Sequence, residues 1–413
     1  MKKRPTYLQS LIYALHLCLL ATGTSASTSV SRPLRLLVQH ADQSLWLYPL
    51  DGGAGRQLTP SLTPSADVVI WSLSPDQQWL AYIQMKNWRK ADADRGKALL
   101  LNVVTGEKRV LLDAMLPAHY NAQIAPSDND RAIIEGTPVW SKDSQRFTLI
   151  SDHTGIVSLY VYNLRTANLR LLTQGQHNIA WPQWSPDEQY ILYNEIEAFG
   201  TGAGPNGGAL WVAPSIGPDV ARRLSPGDQA FEKVTRWLDN THLLTHISSF
   251  DQRRWEDNIV DLTTGKHTPF TAEAKQPSSC LHFASENKQI DLQPAPSEGA
   301  WLFCNVVMAP QGPWAYALLD GTTAQPSQFY LVNINSKEKR LLTEKPSPNP
   351  AAFDMDWSPD GQFLIWFHPD TFVPAGDWQE IGSYALWAVQ IKQKQPFLLA
   401  NQVALWGKHR WLK

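Results

Sequence analysis

Aromatic and charged side chains gather in four predicted connections of the chain, and these are its candidates for binding chemistry. Tryptophan is uncommon in a polar loop because its large apolar area favours burial, so several such side chains around one opening would form a contact surface. The alternative is that each tryptophan folds back and covers its own sheet. The candidate binding residues are Trp88, Arg89, Arg254, Trp255, Trp314, Tyr316, Asp377 and Trp378.

The sequence contains no motif typical of an active site, so we expect no catalytic residue, no metal and no cofactor. It lacks the Gly-x-Ser-x-Gly motif of α/β-hydrolases, and the glycines of residues 200–208 do not form a phosphate-binding pattern. His242 and His246 alternate onto one face of a predicted strand, where a surface position is commoner than metal ligation. Distant repeats can still assemble an acid–base pair, and Asp257, Asp377 and Glu380 would then serve a glycan-binding or glycan-processing site.

The elements that must position these side chains repeat along the chain. Six copies of a short strand, a Trp-Ser-Pro-Asp-Gly-like turn and an apolar returning strand occur, the clearest at Trp184 and Trp357. Proline presets a type I turn, aspartate closes it through its side chain, and glycine tolerates left-handed backbone. The acids of these turns are therefore predicted to be structural. They are Asp76, Asp143, Asp187 and Asp360, with Asn240 and Glu298 as weaker versions.

Each of these six hairpins would supply the first two strands of a repeat, whereas seven strand pairs along the chain fit the last two. The missing hairpin predicts that the two terminal strands pair with each other. Repeats of four strands indicate an all-β chain that forms a single β-propeller. Leu34 to His40 can be only the second strand of its sheet, and Val403 to Leu412 can return to supply the first. We therefore expect seven blades, one of them shared by the two terminal strands. Six or eight blades are the alternatives.

These Trp-Ser-Pro-Asp-Gly repeats resemble the TolB-type β-propeller family, which is related to the propeller domains of prolyl-oligopeptidase-like enzymes. The resemblance covers almost all of residues 27–413. It implies a non-catalytic scaffold that presents loops to a protein partner in the cell envelope. TolB itself carries an α/β domain ahead of a six-bladed propeller. In this chain the repeats start almost at once after the leader, so the chain is not expected to be TolB.

Residues 1–26 have the pattern of a cleavable signal peptide. Lys2, Lys3 and Arg4 precede an apolar stretch from Leu11 to Ala21, which is short for a membrane span, and Thr24–Ala26 supply small residues for cleavage. We expect a periplasmic or secreted monomer comprising residues 27–413. An uncleaved leader that anchors a periplasmic sensor domain is the alternative.

The net charge argues against nucleic-acid binding, and the cysteine content leaves a disulfide open. The formal net charge is −2, and loss of the three leader cations makes it about −5, which does not suit nucleic-acid binding. Cys280 and Cys304 would remain in an oxidising compartment. A disulfide between them would contribute ~3 kcal/mol if unstrained. Two buried free thiols are the alternative, and the sequence leaves both open.

Overall fold

Short antiparallel strands form seven groups of four that follow one another along the chain. The computed structural model describes residues 33–62, 68–85, 96–115, 137–151, 157–173, 178–199, 205–217, 221–225, 231–249, 254–270, 305–319, 327–345, 355–375, 378–393, 395–404 and 409–412. Over these ranges the chain is all-β, and none of it forms a helix of the length and apolarity of a membrane span. Pro33–Lys413 is one compact unit, and Met1–Arg32, with the predicted signal peptide, lies outside the described ranges.

In each of the first four groups, the strands lie side by side from one edge to the other. The first contains β28 (His409–Leu412), β1 (Arg35–Gln39), β2 (Leu45–Pro49) and β3 (Arg56–Gln57). The second contains β4 (Val68–Leu73), β5 (Trp79–Met85), β6 (Gly96–Asn102) and β7 (Lys108–Met115). The third contains β8 (Val139–Trp140), β9 (Arg146–Ser151), β10 (Ser158–Asn163) and β11 (Asn168–Leu171). The fourth contains β12 (Asn178–Trp184), β13 (Tyr190–Phe199), β14 (Pro205–Pro214) and β15 (Arg222–Arg223).

The remaining three groups follow the same order. The fifth contains β16 (Phe231–Trp237), β17 (His242–Ser249), β18 (Arg254–Asp261) and β19 (His267–Phe270). The sixth contains β20 (Asn305–Met308), β21 (Trp314–Leu319), β22 (Ser327–Asn333) and β23 (Lys339–Lys345). The seventh contains β24 (Met355–Trp357), β25 (Phe363–Ala375), β26 (Trp378–Gln390) and β27 (Phe397–Val403). We call the end of a group with the turn between its first two strands the turn end, and the opposite end the loop end.

One parallel contact joins the fourth and fifth groups into a single eight-stranded sheet. Gly208 of β14 pairs there with Phe231 of β16. A Cβ atom at Gly208 would lie 2.7 Å from the backbone oxygen of Glu195, so a larger residue would push the strands apart. Glycine at this position therefore permits the close approach of β14 to β13, and a Cβ atom would also lie 3.2 Å from the Phe231 ring across the contact with the fifth group.

Hydrogen bonds to the four aspartates close the turns between the first and second strands of their groups. In each turn Oδ1 of the aspartate accepts from the serine hydroxyl two residues earlier, at 2.5 to 2.6 Å, and from the backbone N–H two residues later. The residue after the aspartate has positive φ in every case, from +60° to +65°, and only Gly361 among the four is glycine. The side-chain bond thus closes the turn even where a larger residue must adopt left-handed backbone. The aspartates are Asp76, Asp143, Asp187 and Asp360.

Two weaker turns differ from the prediction. In the fifth group the closing acid is Asp239 rather than Asn240, because Asp239 Oδ1 accepts the N–H groups of Thr241 and His242 at 2.7 and 2.8 Å. In the sixth group the turn lies at residues 309–313, between β20 and β21. Its Pro-Gln-Gly-Pro sequence lacks an acid, so the repeat pattern placed this turn at Glu298, which is outside the described ranges.

Each group buries apolar side chains on both faces. Leu36 packs in a cluster shared with the seventh group, and the next residue, Leu37, packs in a cluster shared with the second. Comparable clusters of described residues join six pairs of neighbouring groups. Full burial of one leucine contributes about 1.5–3 kcal/mol, so packing between groups is the main source of stability.

Tryptophans at the ends of the first strands tie neighbouring groups together. The indole N–H of Trp140 donates to Ser72 O at 3.0 Å, and that of Trp184 donates to Val139 O at 2.9 Å. Trp357 donates to the backbone oxygen of Val307 at 3.2 Å in the same way. These three tryptophans are therefore packing residues with a polar partner in the preceding group.

The strand near the C-terminus pairs with the first described strand, as the sequence predicted. Leu37 of β1 is opposite Arg410 of β28 in an antiparallel ladder. The returning strand is shorter than the predicted Val403 to Leu412, because Val403 still belongs to β27. Without β28, the first group would expose the edge of β1 and lose cover for its apolar side chains.

A carboxylate holds β28 against the seventh group. Asp356 Oδ2 accepts from His409 Nε2 at 2.8 Å and from Trp411 Nε1 at 2.7 Å. Burial alone would raise the pKa of the Asp356 carboxyl, but these two hydrogen bonds lower it below its usual value. The ionised carboxylate therefore favours the docked position of the strand.

Removal of β28 tests the terminal pairing. Deletion of residues 405–413 should expose the edge of β1, so the chain should aggregate or lose cooperative unfolding. Urea unfolding followed by circular dichroism and light scattering measures both effects. Deletion of Lys413 alone is the control and should change neither. A monomeric truncated chain with an unchanged midpoint would show that the pairing contributes little to stability.

Acid titration tests the Asp356 contact. The pKa of Asp356 is lower in the folded chain than in the unfolded one, so its stabilisation is present above the unfolded value of about 3.9 and is lost as pH falls through the folded value. Asp356→Asn should reduce stability at pH 7 and weaken its decline between pH ~5 and ~2. Trp411→Phe, which removes one donor, should have a partial effect. Parallel acid profiles for all three proteins would contradict this account.

Candidate interaction surface

Arg254 and Trp255 lie at the loop end of the fifth group. They open β18, directly after residues 250–253 that connect it to β17. Trp255 is 55% exposed, which is unusual for so large an apolar side chain. Trp255 is thus the predicted site residue whose exposure fits a binding role.

A half-exposed histidine–aspartate contact lies next to Trp255 on the same face of the sheet. The register places Ser248 opposite Trp255, and His246 opposite Asp257. His246 Nδ1 and Asp257 Oδ1 are 2.8 Å apart, and their side chains are 45% and 40% exposed. Lys233 of β16 is opposite His246 and is exposed as well. The fifth group therefore presents an indole beside both signs of charge, a composition that suits a protein contact.

Trp314 and Tyr316 are in a different place from the one predicted. They lie within β21, at the turn end, and not in a connection at the loop end. The Arg340 guanidinium lies 4.7 Å from the centre of the Trp314 ring, and Tyr316 stacks with Trp357 at 6.4 Å. Trp314 occupies the repeat position of Trp79, which Arg109 covers at 4.9 Å. Both predicted site residues of β21 are therefore packing residues.

The remaining predicted site residues are either in a strand or outside the described ranges. Trp378 is the first residue of β26 and pairs with Ala375 of β25, which extends that hairpin. Trp88, Arg89 and Asp377 lie outside the described ranges, as do Cys280 and Cys304. Arg254 and Trp255, which are neighbours in the sequence, therefore lie at a loop end, whereas Trp314 and Tyr316 lie in a strand that begins at a turn end.

A buried charged cluster between the fourth and fifth groups escaped the sequence analysis. The Glu232 carboxylate, 2% exposed, accepts from the Ser225 hydroxyl at 2.7 Å and contacts His267 Nε2 at 2.9 Å. His267 Nδ1 faces the Gly265 backbone oxygen at 3.0 Å, so both ring nitrogens have acceptors and the cationic ring fits best. Glu232 and His267 belong to the first and last strands of their group, so no spacing rule could pair them.

The hydrogen bonds of this cluster fit a structural ion pair better than a catalytic triad. Burial would raise the pKa of Glu232, but hydrogen bonds from His267 and Ser225 lower it, so the carboxylate is ionised. The Ser225 hydroxyl also accepts the N–H of Leu210 at 2.8 Å. Since Glu232 and Leu210 already engage that hydroxyl, it is poorly placed to act as a nucleophile. In the part of the chain that the structure describes, no group of three or more His, Cys, Asp or Glu side chains could hold a metal ion.

The chain was compared with known proteins by sequence and by structure. No protein-family model matches it, and no curated protein does. Among solved structures, TolB from Acinetobacter baumannii matches 76% of this chain and 65% of its own, with 13% identity and a TM-score of 0.35. A prolyl endopeptidase matches 89% of this chain and 47% of its own, with 13% identity and a TM-score of 0.43.

A third similar structure is the β-propeller domain of the Trilobed protease from Pyrococcus furiosus. It matches 89% of this chain and 95% of its own, with 10% identity and a TM-score of 0.41. The chain thus spans less than two thirds of TolB and about half of the prolyl endopeptidase. At such identities and TM-scores, the similarity assigns no activity, ligand or partner to this chain.

Fluorescence quenching tests the exposure of Trp255. Trp255→Phe should reduce the fraction of tryptophan emission that acrylamide quenches, because a half-exposed indole is accessible to a small neutral solute. Trp366→Phe is the control, since Trp366 is buried and its loss should not reduce that fraction. Equal effects of the two substitutions would show that Trp255 is covered in solution.

Proposed function

We propose that the chain is a non-catalytic, exported β-propeller that binds a protein partner in the cell envelope through the loop end of its blades. The observation that carries the proposal is Trp255, 55% exposed beside the hydrogen-bonded His246 and Asp257 side chains. Tryptophan is enriched among the residues that dominate binding energy in protein interfaces, and its truncation there commonly costs about 2 kcal/mol or more. The neighbouring charges would orient the partner and form a polar rim.

A rigid ring is the scaffold that this role needs, and we infer that the seven groups are the blades of one. The ladder between β28 and β1 supports a ring joined by its terminal strands. The apolar clusters that join six pairs of neighbouring groups support continuous packing around it. Closure removes the sheet edges that would otherwise pair with other chains, which also favours a monomer.

Export is part of the same proposal and rests on the leader. Lys2, Lys3 and Arg4, the apolar stretch from Leu11 to Ala21 and the small residues before Ser27 support cleavage and release into the periplasm or the medium. N-terminal sequencing of the exported chain should begin at Ser27.

Site-specific photo-crosslinking in living cells tests the interaction surface. A benzophenone amino acid at position 255 should give an adduct with one envelope protein after irradiation. The same amino acid at position 341 is the control, because Leu341 is 48% exposed on the outer strand β23. Trp255→Ala, assayed by co-purification, should weaken the recovered complex at least tenfold, whereas Trp314→Ala should lower stability and leave binding intact.

Two results would contradict the proposal. The first is a chain that crosslinks equally at positions 255 and 341, which would indicate nonspecific collision. The second is the absence of any adduct at position 255 in an exported, folded chain.

A further inference from the structure

The turns between the third and fourth strands lie at the turn end of every group, and we call them the outer turns. They are residues 50–55, 103–107, 164–167, 215–221, 262–266, 334–338 and 391–396. Because Trp255 lies at the loop end, the outer turns are at the opposite end of their groups from the proposed interaction surface.

Contacts between groups place the outer turns side by side. In four places an arginine near the start of a fourth strand donates to a backbone oxygen in the outer turn of the next group. The pairs are Arg56–Val103 at 2.5 Å, Arg170–Gly217 at 3.0 Å, Arg222–Leu262, and Arg340–Ile391 at 3.3 Å. Asp51 and Gln393 line a common groove, so the first and seventh groups are neighbours here too. The outer turns thus adjoin from the sixth group through the seventh and first to the second, and from the third to the fifth.

We call the outer turns and the first three residues of each fourth strand the outer rim, and it is rich in cations. Every group contributes at least one Lys or Arg to it. They are Arg56, Lys108, Arg109, Arg165, Arg170, Arg222, Arg223, Lys266, Lys337, Lys339, Arg340 and Lys392. The acids at the same described positions are Asp51, Glu107 and Glu338. Asp219 and Lys394 also belong to outer turns but lie outside the described ranges.

The acids near the outer rim are already engaged. Glu107 and Glu338 pair with Arg109 and Arg340, each at 2.7 Å. Asp261 Oδ1, at the end of β18, accepts N–H groups of the following outer turn. The other aspartates of the turn end close the turns between first and second strands. Four rim lysines are exposed, and over the described ranges the structure gives none of them an acidic partner: Lys108, Lys266, Lys337 and Lys392.

Two outer turns also expose aliphatic side chains at their tips. Ile216 is 69% exposed, the highest value for a large apolar side chain among the described residues, and Val104 is 48% exposed. Arg170 donates to the backbone oxygens of Ser215 and Gly217, on both sides of Ile216, at 2.5 and 3.0 Å. The tip that carries Ile216 is therefore held in place while its side chain points into solvent.

We propose that the outer rim binds the surface of a bilayer that contains anionic phospholipids. Its lysines and arginines contact headgroup phosphates, and Val104 and Ile216 enter the boundary between headgroups and acyl chains. An acidic polymer would match the cations but would offer the aliphatic tips no apolar phase, so the tips favour a membrane. The net charge of the chain is −2, so attraction to an anionic surface depends on presenting the rim to it. This role is additional to partner binding at Trp255 and does not rest on it.

Co-sedimentation with lipid vesicles tests the proposal with the purified, exported chain. Vesicles of equal parts phosphatidylglycerol and phosphatidylcholine should bind the chain, and vesicles of phosphatidylcholine alone should bind it about tenfold more weakly. An increase in ionic strength from ~0.01 M to ~0.15 M shortens the Debye length from ~30 Å to ~8 Å and should weaken binding. Lys108→Gln should weaken binding about fivefold, and replacement of Lys108, Lys266, Lys337 and Lys392 together with Gln should abolish it.

Matched variants separate the rim from general effects. Lys97→Gln is the control for Lys108→Gln, because Lys97 is an exposed lysine of the same group at the loop end, and it should leave the affinity within about twofold. Val104→Asn combined with Ile216→Asn should weaken vesicle binding about tenfold without changing binding to soluble polyglutamate. Thermal unfolding checks that each variant is folded.

Three results would overturn the proposal. The first is equal binding to the two kinds of vesicle, and the second is unchanged affinity in the folded variant that lacks the four lysines. The third is binding of polyglutamate without binding of either vesicle, which would assign the rim to an acidic polymer instead.

Discussion

The four-stranded groups of this chain cannot stand alone, because both of their faces are apolar. Alternate residues of one strand point to opposite faces, and in β1 both sets are aliphatic: Leu36 and Val38 face the seventh group and Leu37 faces the second. Among the described residues, apolar clusters join six pairs of neighbouring groups, so each group depends on at least one neighbour. In three of these interfaces a tryptophan hydrogen bond also links the first strands of the two groups. A change in one interface should thus affect the groups on both sides of it.

The junction of the first and seventh groups differs from the other junctions, because the two ends of the chain meet there. The chain passes there from β27 of the seventh group to β28 of the first group, and strand pairing between β28 and β1 joins the two ends of the chain within the first group. Trp411 uses the Asp356 carboxylate where other groups use a backbone oxygen, so this junction adds a charged hydrogen bond to the apolar cluster.

Burial between groups also restricts where function can lie. Aromatic side chains within the groups are used for packing, as Trp314 and Tyr316 demonstrate. Binding residues are therefore expected at the two ends of the groups, where side chains are not covered by a neighbour. Trp255 meets that condition at the loop end, and the exposed side chains of the outer rim meet it at the turn end.

The sequence by itself determined the all-β fold, the repeat, the four aspartate turns and the return of a terminal strand. Each of these depends on local chemistry or on a repeated pattern: Asp187 closes its turn with residues two positions away. The sixth-group turn was misplaced because its Pro-Gln-Gly-Pro sequence has no acid, and with it Trp314 was assigned to a loop. Tertiary structure alone decided the Glu232–His267 pair, the Asp356 contact and the contacts that join the outer turns. Their members are brought together by how groups fold and pack, and packing distances between remote segments leave no spacing in the sequence.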